Sequence, residues 1–160
     1  MKLSKFQKVL LISVLIVIFL AYMDFQGFKL WEQVGGFGGE IYQLLFNSWM
    51  SFFWTFAFAL IGVVAFVYYL LVKDKSESLA LITTPGLLLL GGLEDIFYYI
   101  FTGHNYWGTT MPWLNNNIFM LTIAKIMGQN TITSVTLLVS VGVSILLAFF
   151  TYKWLEKQRW

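Results

Sequence analysis

The chain has 160 residues, of which 59% are hydrophobic and 11% are charged, with a formal net charge of +2. A soluble domain carries about one quarter charged residues, so this composition is typical of an integral membrane protein. The length predicts a single membrane domain over residues 1–160. The chain has no cysteine and one histidine, which excludes thiol chemistry, disulfides and a multi-histidine metal site within one chain.

Four long apolar stretches are predicted to cross the membrane. They cover residues 6–23, 50–72, 79–101 and 131–152. Each approaches or exceeds the roughly 20 residues that cross a hydrocarbon layer of about 30 Å, and a backbone in that layer must be helical. The first stretch has a basic start, but no A-x-A-like cleavage site follows it, so we expect a retained helix. The predicted fold is an all-α bundle of four transmembrane helices.

Two longer connections, residues 24–48 and 102–130, are predicted on the same side of the membrane. The first contains the glycine-rich segment VGGFGG and then a possible interfacial helix. The second contains the apolar segment 118–127, which is too short to span. We expect one or two short helices here, lying on the outer surface or re-entering the membrane.

The distribution of basic residues predicts the orientation of the chain. With four spans, one side carries two basic residues, Lys29 and Lys125, and five acids. The other side carries eight basic residues: Lys2, Lys5, Lys8, Lys73, Lys75, Lys153, Lys157 and Arg159. The positive-inside rule therefore predicts a multi-pass protein with both termini in the cytoplasm.

Small residues predict where helices pack closely. The fourth stretch carries a small-residue stripe at a spacing of four, namely Thr136, Ser140, Ser144 and Ala148. Such a stripe lets helices approach in a bilayer, either within the chain or against another subunit. In the third stretch Pro85 predicts a kink, and Gly91 with Gly92 predicts a bare patch that admits a helix or a ligand.

Glu94 and Asp95 are two adjacent acids near the end of the third apolar stretch. At 1.5 Å per residue, Glu94 lies about 24 Å along that helix, close to the outer headgroup boundary. Glu94 shares a helix face with Tyr98, and Asp95 with Tyr99. Lys125 is the only basic residue of the second connection, so it is the expected ionic partner of the pair in a structural interpretation.

The alternative interpretation makes Glu94 and Asp95 general acid/base groups. A carboxyl that keeps its proton can protonate a lipid or an isoprenoid, and aromatic rings can stabilise the resulting cation. The candidate rings are Tyr98, Tyr99, Tyr106, Trp107 and Trp113. The segment GLEDIFYY, residues 92–99, resembles the P-x-E-E-x-x-F-F motif of the membrane-bound lycopene cyclases, with Glu94 as the identical residue. That resemblance implies that paired acids beside aromatic rings suit isoprenoid protonation.

Other functions are weaker predictions. Glu94, Asp95 and His104 are possible ligands, but adjacent acids on one helix chelate poorly, so we predict no metal and no cofactor. Nothing resembles a phosphate loop or a nucleic-acid surface, so no nucleic acid is expected. We therefore predict a non-catalytic component that packs against other membrane chains or itself and holds a lipid or apolar ligand near the outer leaflet. The alternative is an enzyme on a lipid or isoprenoid.

Overall fold

The computed structural model of the chain describes residues 3–34, 40–103, 105 and 108–158. Across these ranges the chain is helical and forms no β strand, which confirms the predicted all-α class. A 3₁₀ helix of five residues, Pro112–Asn116, precedes the fifth α helix. The six α helices are α1 Lys5–Val34, α2 Glu40–Val72, α3 Lys75–Leu90, α4 Leu93–Thr102, α5 Ile118–Ile126 and α6 Ser134–Lys157.

Three of these helices, α1, α2 and α6, are long and apolar enough to cross a membrane. The helices α3 and α4 meet that standard only together, because they are separated by a short break and bent by 61°. The chain therefore has three candidate spans, or four when the bent pair counts as one. The short helix α5 has nine residues, so it is too short to span, in line with its sequence.

The break between α3 and α4 lies at Gly91 and Gly92 rather than at Pro85. The helix α3 continues through Pro85 for five more residues. Gly92 then takes a φ of 85°, in the left-handed region that glycine adopts without a steric penalty. The helix is therefore not broken at Pro85, and the measured change of direction of 61° lies at the glycine pair.

The connection around residues 24–48 also differs from the expectation. No separate interfacial helix forms among its described residues, because α1 continues to Val34 and α2 begins at Glu40. No proline interrupts α2 in its 33 residues, so the helix propagates without a boundary at the predicted membrane edge. The glycine-rich segment 35–39 lies outside the described residues.

The helix α3 lies at the centre of the bundle and packs against α1, α2 and α6. Lys5 of α1 contacts Asp74 in the α2–α3 turn, and Ser76 donates a hydrogen bond to the carbonyl of Leu155 in α6. The start of α1, this turn and the end of α6 therefore meet at one end, which we call the terminal end. The opposite end, where α4 and α5 lie, is the distal end.

Two apolar clusters fill the bundle between these ends. The cluster nearer the terminal end joins four helices through Val9, Ala65, Ala80, Leu81, Tyr152 and Leu155. The cluster nearer the distal end joins α1, α2 and α3 through Ile16, Val17, Leu20, Phe53, Ala57, Ile61, Leu88 and Leu89. Small residues such as Ala57, Ala65 and Ala80 allow the close helix approach that membrane bundles rely on.

A polar network closes the terminal end. Lys5 Nζ lies 2.6 Å from Asp74 Oδ2 and 3.3 Å from Glu77 Oε1. The hydroxyl of Tyr68 donates to the second oxygen of Glu77, which is 3% exposed. Asp74 also caps α3 by accepting from the backbone N–H of Glu77 at 3.0 Å. These contacts neutralise a buried carboxylate and tie α1, α2 and α3 together.

A cap covers the distal ends of α3 and α6. It consists of the 3₁₀ helix, α5 and the strand-like bridge between Thr110 and Thr133. Asn117 Nδ2 donates to the carbonyl of Leu90 at 3.0 Å, which satisfies an acceptor released by the helix break. The cap has its own apolar cluster, made of Met111, Met120, Ala124, Ile132 and Leu137.

Candidate functional site

The helix break determines where Glu94 and Asp95 lie. Because α4 restarts at Leu93, both acids fall in the first turn of the new helix. Negative side chains are favourable there, since the first turn of a helix carries a partial positive charge. Both acids are partly buried, in a segment otherwise made of apolar and aromatic residues.

A third acid, Asp24 of α1, joins this pair. The helices α1 and α4 pack against each other, and Asp24 directly precedes Phe25, whose ring contacts Tyr98 of α4. We call these three residues the distal carboxylate cluster. Asp24 is 70 residues before Glu94 in the sequence, so its membership depends on how α1 and α4 pack.

Trp49 of α2 fixes the position of Asp24. Its indole Nε1–H donates a hydrogen bond to Asp24 Oδ1 at 3.0 Å. The same indole lies directly over Gly27, one turn further along α1, where an added Cβ would lie 2.2 Å from the ring carbon Cζ2. Only glycine leaves room for this contact, so α2 contributes both a wall and a hydrogen-bond donor to the site.

Aromatic rings line the contact between α1 and α4. The ring of Tyr98 meets those of Phe25 and Phe28 edge to face, with centroids 6.3 and 5.7 Å apart. Phe101 of α4 meets Tyr22 in the same way at 5.7 Å. Such ring pairs prefer edge-to-face packing and add stability beyond the area they bury. Glu94, Tyr98 and Phe101 share one face of α4, so the carboxylate lies on the face that carries this wall.

Asp95 and Tyr99 lie on a neighbouring face of α4. Tyr99 packs against the apolar cluster of the cap, around Met120 and Leu137. Consecutive helical residues point about 100° apart, so the two tyrosines serve different surfaces. Tyr98 belongs to the wall beside α1, and Tyr99 helps to anchor the cap.

Lys125 does not neutralise the acids, contrary to the structural interpretation of the sequence. Its side chain is exposed on α5, and it forms no ion pair with Glu94 or Asp95. The side-chain ion pairs among the described residues join Lys5 to Asp74 and Glu77, and Lys153 to Glu156, all at the terminal end. Lys29, the other basic residue of the distal end, lies over the ring of Phe25 at 4.5 Å.

Four other predicted residues of the site are not placed. His104, Tyr106 and Trp107 lie outside the described residues, and the side chain of Trp113 is not described, although its backbone belongs to the 3₁₀ helix. In the parts of the chain that are described, no group of three histidine, cysteine, aspartate or glutamate side chains has a metal-binding arrangement. The three carboxylates of the distal cluster therefore lie in one region of the bundle but are not arranged to chelate a metal ion.

The small-residue stripe of α6 packs inside the chain. Thr136, Ser140, Ser144 and Ala148 are each fully buried. Gly91 lies so close to the stripe that an added Cβ would be 2.1 Å from Ser144 Oγ and 3.1 Å from the carbonyl oxygen of Ser140. Gly92 lies against Leu137 and Met120 in the same way. The two glycines thus permit both the turn and the close contact with α6 and the cap.

Sequence reasoning missed three residues of the site, Asp24, Trp49 and Gly27. Asp24 follows the predicted first span and Trp49 precedes the second, so both were expected only as interfacial residues. A usable signal existed in the sequence, because Asp24 follows the first predicted span and Glu94 lies in the distal part of the third, so both are expected near the same membrane boundary.

Comparisons were made with protein-family models, with curated proteins and with solved structures, and none of them found a match.

Proposed function

We propose that the chain is a four-span membrane protein, with both termini in the cytoplasm, that binds a lipid or other apolar ligand at the distal carboxylate cluster. The observation that carries this proposal is that Asp24 of α1 and the acids Glu94 and Asp95 of α4 lie on two helices that pack together, beside Trp49 and an aromatic wall. Charged groups at membrane depth are costly and are most often retained for a function. Six basic residues among the described ranges lie towards the terminal end and support the orientation, namely Lys5, Lys8, Lys73, Lys75, Lys153 and Lys157.

The depth of the cluster suits a ligand with a polar head and an apolar tail. Asp24 lies about 28 Å along α1 from Lys5, near the edge of a hydrocarbon layer of about 30 Å. A hydroxyl or amine head at that level can donate hydrogen bonds to the carboxylates. The tail then contacts the rings of Phe25, Phe28 and Tyr98, which face one another at the α1–α4 contact.

Photolabelling tests this proposal. A long-chain alkyl alcohol carrying a diazirine is added to vesicles that contain the protein, and labelled peptides are identified by mass spectrometry. We expect labelling in α1 and α4, and we expect Glu94→Gln and Asp24→Asn to reduce it several-fold. Glu156→Gln, which removes an exposed carboxylate at the terminal end, is the matched control. Labelling spread evenly over all helices, or unchanged in the two variants, contradicts the proposal.

The position of Lys125 favours a second candidate function, an enzyme acting on a lipid or isoprenoid. With no ammonium group paired to Glu94 or Asp95, a carboxyl of the cluster can act as an acid. It donates a proton to a carbon–carbon double bond, and a carboxylate takes one from the neighbouring carbon. The net result is an isomerisation or cyclisation that needs no co-substrate.

The enzyme hypothesis has its own test. Lipid extract from the native membrane is incubated with the reconstituted protein in deuterated water. An enzyme of this kind incorporates deuterium into an isoprenoid or lipid at carbon, and Glu94→Gln abolishes the incorporation. Photolabelling that depends on Glu94 without any deuterium incorporation leaves ligand binding as the function.

The chain also offers surface for other membrane chains. The helix α2 turns one face to the bundle and leaves the opposite face uncovered, with Phe58 and Phe66 each more than 60% exposed. Gly62 lies between them on that face, and nothing approaches its Cβ position within 4 Å. This shape supports docking of a further helix. The test is cross-linking in native membranes through a cysteine placed at position 62.

A further inference from the structure

Thr84 is a buried polar group with nothing to bond to. Its side chain is fully buried in α3, and Thr84 Oγ1 has no hydrogen-bond partner. The neighbouring Thr83 behaves as helical threonines usually do, since its hydroxyl donates back to the carbonyls of Leu79 and Ala80 at 3.4 Å. An unpaired hydroxyl is energetically costly in a membrane interior, because no bulk water reaches it to form a hydrogen bond.

Pro85 leaves a second buried group without its ordinary partner. In a helix, the N–H of residue 85 donates to the carbonyl of Leu81, but proline has no N–H. Leu81 is fully buried, so this carbonyl lies in the core of the bundle. Membrane helices tolerate proline when side-chain hydroxyls or ordered waters satisfy the released carbonyl.

Ser13 brings a third polar group from α1 to the same level. It is fully buried, and its hydroxyl donates to the carbonyl of Val9 at 2.8 Å, which leaves its oxygen able to accept. Val9 packs with Leu81 in one apolar cluster, and Ile16 packs with Leu88 in the next. Ser13 lies between Val9 and Ile16 in the sequence of α1, and Thr84 lies between Leu81 and Leu88 in that of α3, so helix geometry puts the two at a similar depth of the α1–α3 contact.

We infer that a single ordered water binds at this level, between Ser13, Leu81 and Thr84. It donates to the carbonyl of Leu81 and to Ser13 Oγ, and it accepts from the hydroxyl of Thr84. A buried water characteristically makes about three hydrogen bonds, which is the number these groups supply. Three neutral oxygens are too few for a sodium ion, which would lose its hydration without a compensating charge.

The other unpartnered hydroxyl of the bundle, Ser144 Oγ, has a different explanation. It lies against the α carbon of Gly91, so closely that a methyl group there would clash. A weak Cα–H···O contact with Gly91 accounts for it. The water site is therefore specific to Thr84, about 13 Å along α3 and near the middle of the membrane.

A mutant cycle tests the water site through thermal unfolding in detergent. We expect Thr84→Val to lower Tm by about 2–4 °C, since the water then loses one partner. Thr83→Val, which removes a hydroxyl bonded within its own helix, is the matched control with little effect. In a Pro85→Ala background the restored N–H bonds Leu81, and the effect of Thr84→Val falls below about 1 °C. Equal effects in both backgrounds, or a higher Tm for Thr84→Val, contradict the site.

A direct measurement keeps the inference testable if the Pro85→Ala variant does not fold. Nuclear Overhauser contacts between water and the Thr84 amide are recorded for the protein in lipid nanodiscs. We expect a long-lived water contact that disappears in Thr84→Val and weakens in Ser13→Ala. The absence of a water contact at Thr84 in the unaltered protein overturns the inference.

Discussion

The indole N–H of Trp49 donates a hydrogen bond to the carboxylate of Asp24 at 3.0 Å, and the same ring lies over Gly27. This contact joins α2 to α1 in the distal half of the bundle. Asp24 thereby lies on the helix that packs against α4, whose first turn carries the other two acids. The candidate site is thus made by three helices, the consecutive helices α1 and α2 and the more distant α4.

We predict that Trp49→Phe weakens the distal end while the protein still folds. Phenylalanine keeps a ring over Gly27 but cannot donate to Asp24, so about 1 kcal/mol of stability is lost. The measurement is thermal unfolding in detergent, where this loss lowers Tm by about 2–4 °C. Trp54→Phe, which changes an exposed tryptophan on the outer face of α2, is the control and leaves Tm unchanged. Equal shifts in the two variants would show that the hydrogen bond contributes nothing.

A second prediction concerns the close approach of Gly91 to α6. Gly91→Ala forces a methyl group against Ser144 and the backbone of Ser140, and such overpacking costs about 1–3 kcal/mol. Gly142→Ala is the control, because nothing lies within 4 Å of that Cβ position in α6. Alanine there stabilises the helix by roughly 0.5–1 kcal/mol.

The second substitution in this test is Ser144→Gly, which removes the clashing hydroxyl. Thermal unfolding of the double variant Gly91→Ala, Ser144→Gly shows part of the lost stability restored if the contact is as described. Failure of Ser144→Gly to restore any stability would contradict the packing of α3 against α6.

A third prediction concerns acid stability at the terminal end. Partial burial alone raises the pKa of Asp74, but hydrogen bonds from Lys5 and from the backbone N–H of Glu77 outweigh it and lower the pKa below the ordinary 3.8. A carboxyl with a lowered folded-state pKa adds stability that is present above 3.8 and lost as pH falls through the folded value. Because Lys5 is largely exposed, the contribution is below about 1 kcal/mol.

Asp74→Asn isolates that contribution. Asparagine keeps the helix-capping oxygen but has no charge, so the α3 cap survives. The free energy of unfolding is measured from pH 5 down to pH 3. We expect it to fall less steeply for the variant than for the parent protein. Identical pH profiles would mean that the ion pair with Lys5 adds no stability.

A fourth prediction concerns orientation. The chain has no cysteine, so Leu3→Cys or Gln158→Cys introduces a single reactive thiol near either terminus. We expect both thiols to react only with membrane-permeant reagents in intact cells, because the basic residues near the termini favour the cytoplasmic side. Labelling by an impermeant reagent from outside would reverse the proposed topology.

Much of the fold is predictable from the sequence because the membrane restricts the choices. Helices form in each of the four apolar stretches, although two helices, α3 and α4, share the third stretch, since a backbone in hydrocarbon has no other way to satisfy its polar groups. Gly91 and Gly92 were expected to weaken the third helix and admit a neighbour, and they do both. The location of the bend was not predictable, because both Pro85 and the glycine pair can interrupt a helix. The choice depends on tertiary packing, since Gly91 lies against Ser144 and Gly92 against Leu137.

The candidate site was predictable only in part, because sequence spacing gives no register between separate helices. Glu94 and Tyr98 share a face through their spacing of four, and this relation holds in the structure. Lys125 was expected beside the acids because it is the only basic residue of the second connection, yet α5 packs with Met120 and Ile123 inward and leaves Lys125 exposed. Asp24 and Trp49 meet through a contact between α1 and α2, which no pattern within either helix predicts.

Native mass spectrometry of the gently solubilised protein from its own membrane tests the central claim most directly. If the distal carboxylate cluster binds an apolar ligand, each chain retains a discrete lipid or isoprenoid. The variant with both Asp24→Asn and Glu94→Gln then loses that molecule, while Glu156→Gln keeps it. A protein that carries no discrete ligand, or that retains it equally in all three forms, would contradict the account.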